Sequence, residues 1–68
     1  MKPVSGKKFC KILEKRGWTL VRVKGSHYRF LAPDESTTID VPVHGNKDMR
    51  IGTQHGLMKA AGLTEDDL

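Results

Sequence analysis

Apolar and polar positions along the chain repeat first with a helical period and then with the period of a strand. Phe9, Ile12 and Leu13 fall on one face at helical spacing, and Lys7, Lys8, Lys11 and Lys15 take the opposite face. Ser5 is placed to cap this helix, and Val4 with Phe9 has the N′/N4 spacing of a hydrophobic staple. Gly17 stands where a left-handed residue would end the helix. Arg16, beside the apolar stripe in the last turn, can snorkel toward the negative helix end. Three strand signals follow, at residues 18–23 (WTLVRV), 27–31 (HYRFL) and 37–43 (TTIDVPV). KGS is a short hairpin link and PDES carries turn chemistry. Pro42 has no N–H to give to a ladder, which puts the third strand at an edge.

HGNKDMRIG reads as a loop. Thr53 is placed to cap a second helix through Leu57, Met58 and Ala61, ended by Gly62. Gly56 inside it costs about 1 kcal/mol relative to alanine and weakens it. The closing TEDDL either begins a further turn capped by Thr64 or frays. The order helix, three-stranded antiparallel meander, helix predicts an α+β fold, one domain over residues 1–68. Both helices lie on one sheet face and the other face is open.

Alternation sorts the strand residues between the two faces. Tyr28, Phe30, Ile39, Val41 and Val43 point to the helices, as do Val21 and Val23. Arg22, His27, Arg29, Thr38 and Asp40 then share the open face. Leu20 and Leu31 also fall there, where they would form an apolar patch for a protein partner.

Charge adds a direction to this picture. Residues 1–33 hold nine Lys or Arg against one acid, and residues 34–68 hold three against seven, so halves of +8 and −4 underlie the net +4. A basic half suits a polyanionic partner, most simply nucleic acid, although a solvated surface has the same composition. A single cysteine, Cys10, excludes an intrachain disulfide and suits a reducing cytoplasm. No apolar run is long enough to span a membrane, and MKPVSGKKF lacks the apolar core of a secretory signal. Cys10 has no base-like neighbour in sequence. Three histidines and one cysteine at wide, irregular spacing match no zinc pattern, so neither metal nor cofactor is expected.

Among the open-face residues, His27 is the one suited to passing a proton at neutral pH. Next to cations, an imidazole can take the proton of a ribose 2′-OH, whose oxygen attacks the adjacent phosphorus without a metal. Arg22, Lys24 and Arg29 are placed to hold phosphate, and the Gly25 and Ser26 amides can approach it closely. Asp40, if it lies across from His27, can fix the imidazole tautomer. The plain alternative is a surface histidine at a strand end. His44 enters a loop to which it can hydrogen-bond, and His55 falls in the first turn of the second helix.

GWTLVRVKGSHYRF, VPVHG and GTQHGLMKAAGL resemble, in the same order and over nearly the whole chain, the HicA toxins, small mRNA interferases of toxin–antitoxin pairs. Gly25-Ser26-His27 after a basic strand is the most specific part of the likeness. It implies a double-stranded-RNA-binding-domain-like fold and ribosome-independent mRNA cleavage with His27 as the essential catalytic residue. It also implies a HicB antitoxin that covers the active surface. His44 matches a recurrent family position, read here as structural before catalytic. The chain departs from the family at Gln54 and Gly56, where an apolar residue and a non-glycine are usual. Two other functions fit parts of the pattern. A non-catalytic RNA-binding module would use the cations alone, and a purely protein-interacting domain would show no salt-dependent RNA affinity.

Overall fold

Ser5 opens the first helix, α1 (Gly6–Lys15), in the computed structural model, which describes residues 1–68. Its hydroxyl accepts the Lys8 amide at 3.0 Å, while Val4 and Phe9 are both buried as the staple spacing requires. The helix ends at Gly17, with φ of 91°. The Trp18 amide then reaches the Leu13 carbonyl at 3.0 Å, and the Gly17 amide reaches Glu14 at 3.1 Å. The second helix, α2 (Ile51–Ala61), ends in the same way. Gly62 is left-handed, and the Leu63 amide donates to the Met58 carbonyl at 2.9 Å. In both, the residue after the glycine turns back into the core beside the residue whose carbonyl it caps, as in a Schellman motif.

The strands β1 (Thr19–Lys24), β2 (His27–Leu31) and β3 (Thr38–Pro42) form one antiparallel sheet in the order β1-β2-β3. Phe30, Ile39 and Val41 face the helices and close a single core with Phe9, Ile12, Leu13, Trp18 and Met58. This is the α+β helix–sheet–helix arrangement expected, with both helices on one side. Pro42 lies on an edge strand. No helix is long and apolar enough to cross a membrane.

Three local expectations are corrected. A bulge between Leu20 and Arg22 leaves Val21 without a cross-strand partner and brings Leu20 opposite Phe30, so Leu20 turns toward the helix side. The alternation rule failed there because one extra residue shifts the phase. Nor does β1 contribute to the buried core: Val23 keeps the helix side, opposite Tyr28, but like Val21 it is about half exposed. Thr53 is not the cap of α2, which begins two residues earlier behind an extended Arg50 that makes no side-chain cap bond. Tertiary contacts fix that start, since the Met49 amide donates to the Val4 carbonyl at 3.0 Å and Ser5 bridges to Asp48. His55 consequently sits in the second turn.

Gln54 explains how the weak second helix is held. Its side chain is fully buried, its Oε1 accepts the Val4 amide at 2.9 Å, and its Nε2 donates to the Lys2 carbonyl at 2.7 Å. The side chain thereby clamps the N-terminal segment onto α2. Gln54→Leu keeps much of the volume but leaves the Val4 N–H without a partner. It is expected to cost about 1–3 kcal/mol in chemical denaturation. The C-terminal segment is likewise tied down: Glu65–Asp67 form a 3₁₀ turn capped by Thr64, and Arg16 Nη1 donates to Asp67 Oδ1 at 2.8 Å.

Candidate active site

Two rungs of the sheet build the open face. Lys24, His27 and Pro42 are aligned across the three strands in one, and Arg22, Arg29 and Asp40 in the next on that face, beyond the helix-facing rung of Val23, Tyr28 and Val41. Opposed residues share a face, so their side chains gather on the surface away from the helices. Arg22, Lys24, His27, Arg29 and Asp40 line a shallow cleft of about 200 Å³ with no apolar lining residue. All five are residues singled out from the sequence.

Arg22 directly opposite Arg29 is a like-charge pair, which on its own destabilises a ladder. Asp40 offsets it from the other side. Arg29 donates from Nε to Asp40 Oδ1 at 2.9 Å and from Nη2 to Oδ2 at 3.3 Å, a bidentate fork. These hydrogen bonds, with the charges of Arg29, His27 and Arg22, hold the Asp40 carboxyl below the usual carboxylate range. A depressed carboxyl contributes stability above its unfolded pKa and loses it as pH falls through the folded one, so the pair is intact at neutral pH. Both side chains are about half exposed, and solvent screening keeps that contribution small. Asp40 therefore orients Arg29. The tautomer-fixing bond to His27 is absent, because the cross-strand neighbours of His27 are Lys24 and Pro42.

Gly25 and Ser26 form the tip beside His27. Gly25 has φ of 58°, which suits the first central residue of a two-residue II′ hairpin turn. The Ser26 carbonyl accepts the Val43 amide at 2.7 Å and pins the tip to the end of β3, while neither tip amide donates to a backbone carbonyl. Both N–H groups are thus unengaged in the turn that joins Lys24 to His27, two of the cleft's lining residues.

The remaining sequence candidates lie elsewhere. His44 borders a separate hollow with Lys47 and Arg50, and its carbonyl accepts the Lys47 amide at 3.0 Å. His55 is exposed on α2. Leu31 is on the open face, half-buried between Thr19 and Thr38. No three His, Cys, Asp or Glu side chains converge as metal ligands. Burial and the charge of Glu14 push the Cys10 thiol up to about 11, so almost no thiolate exists at neutral pH. Thiol reagents at pH 7 are expected to label folded Cys10 far more slowly than the unfolded chain, which a timed alkylation in buffer and in denaturant measures.

The family model described as HicA toxin of bacterial toxin-antitoxin matches residues 6–63, which include both helices and the whole sheet. No curated protein matches the chain. With a match over most of its length, the chain belongs to the HicA toxin family, toxins of toxin–antitoxin pairs that are generally mRNA-cleaving RNases.

Proposed function

We propose that the chain is a metal-independent endoribonuclease toxin that cleaves mRNA, with His27 as the proton-transferring group. The observation that carries this reading is the gathering of His27 with Arg22, Lys24 and Arg29 in one cleft. His27 takes the proton of a ribose 2′-OH, the O2′–phosphorus bond forms, and the bond to the departing 5′ oxygen breaks. The leaving oxygen takes a proton from the open solvent side. Arg22, Lys24 and the Arg29 fork bear the charge that builds on the phosphoryl oxygens, with the Gly25 and Ser26 amides beside them. The products are a 2′,3′-cyclic phosphate and a 5′-hydroxyl.

The chain acts in the cytoplasm and is neutralised there by a HicB-type antitoxin that covers this cleft. The basic face favours an acidic covering surface, and half-buried Leu31 offers it an apolar contact. His44 serves the loop after β3 and takes no part in proton transfer.

Purified protein incubated with RNA in EDTA separates catalysis from binding. Shortened RNA supports the proposal. A salt-sensitive gel shift with no shortening would instead mark a binding module of the same fold.

A further inference from the structure

A second hollow lies on the other side of the Gly25-Ser26 tip from the cleft. It measures about 480 Å³, and Lys7, Cys10, Gly25, Tyr28, Val43 and Asn46 are among its lining residues. Tyr28 follows His27 in β2, so alternation sends the two side chains to opposite faces of the same strand end. Cys10, Tyr28 and Val43 are half-buried against the core and form an apolar floor. Lys7, which joins no ion pair, and the exposed Asn46 form a polar rim. A Cβ added at Gly25 or Gly45 would meet nothing within 4 Å, so the backbone at both glycines borders open space.

We infer that this hollow receives a base of the RNA strand whose phosphate occupies the cleft. It thereby gives the enzyme a base preference beside the cut; this inference rests on the RNA reading above. The cleft is lined by charged side chains and an imidazole and by no apolar residue, so it holds phosphate without distinguishing bases. The hollow has the complementary properties. An aromatic ring and an apolar floor accept the face of an unstacked base, and the Asn46 amide can donate to and accept from a base edge. Lys7 meets the next phosphate. The turn is only two residues long and bare of a side chain at Gly25, so a strand can drape over it and place adjacent groups on opposite faces.

The test uses His27→Ala protein, so that RNA stays intact, and short single-stranded RNAs that differ at one base. NMR titration is expected to shift the Asn46 side-chain amide and the Tyr28 ring, with affinities that differ about tenfold between bases. Asn46→Ala in the same background is expected to narrow that difference to about twofold while the signals of Arg22 and Arg29 still move. Tyr28→Phe, which keeps the ring and the packing, retains the base dependence. Shifts at the cleft with a silent hollow, or a base dependence unchanged in Asn46→Ala, would overturn the inference and leave the RNA reading standing. No shift at either place, with wild-type protein leaving RNA whole, would overturn both.

Discussion

His27→Ala is expected to lower RNA cleavage by about 10²–10⁴-fold, the usual contribution of a positioned general base. Folding and RNA affinity should stay near wild type. The structure separates these effects cleanly. His27 is exposed at the start of β2, and its cross-strand neighbours are a lysine and a proline, so its imidazole is no part of the core. Phosphate binding draws on Arg22, Lys24 and Arg29, which the substitution leaves in place. A fluorescent RNA assayed in EDTA for rate, together with thermal unfolding of both proteins, gives the comparison. Wild-type cleavage by the alanine variant would remove His27 from the mechanism. Equal loss of fold and activity would make it a structural residue.

Gly6→Ala should bring the largest loss of stability. The first residue of α1 runs so close to the end of β3 that an added Cβ would collide with the Pro42 carbonyl oxygen and stand 2.9 Å from its carbon. Neither is a flexible side chain that can swing away. The helix must lift from the sheet, or Pro42 must move, at an expected cost of about 3 kcal/mol or more. The gain in helix propensity from removing a glycine is at most about 1 kcal/mol, so the collision decides the sign. In a domain of this size the melting temperature should fall on the order of 15 °C. Gly56→Ala is the matched control, since that glycine lies within α2 and a Cβ there meets nothing within 4 Å. It is expected to stabilise by about 1 kcal/mol. If both variants melt alike, the close approach of α1 to β3 is not what Gly6 serves. Pro42 is also the strand neighbour of His27, so the Gly6 variant should lose activity beyond its loss of stability.

Capping and alternation made most of this architecture legible in the sequence. Ser5, Val4, Phe9 and Gly17 act locally, and their roles follow from spacing alone. The open-face set was legible for a similar reason: strand alternation in β2 and β3 is unbroken, and Arg22 faces outward despite the bulge. What the sequence concealed depends on contacts between distant segments. The bulge at Val21 carries no glycine or proline to announce it. Gln54 reads as a polar residue on a helix and is instead fully buried because Lys2 and Val4 bring their backbone to it. Asp40 looked available to His27, yet register puts it opposite Arg29, whose guanidinium fork engages both carboxylate oxygens. Such pairings are set by where strands meet, which no single stretch of residues encodes.

The mechanism requires a ribose 2′-OH at the cut and no metal, and one comparison tests both. An RNA of mapped cleavage site and the same strand with a single 2′-deoxy sugar at that site are incubated with wild-type protein in EDTA. The account predicts that the RNA is cut to a 2′,3′-cyclic phosphate and that the deoxy-substituted bond survives. Cutting of the deoxy-substituted bond at the RNA's rate, or cutting of the RNA only when a divalent metal is restored, would contradict it.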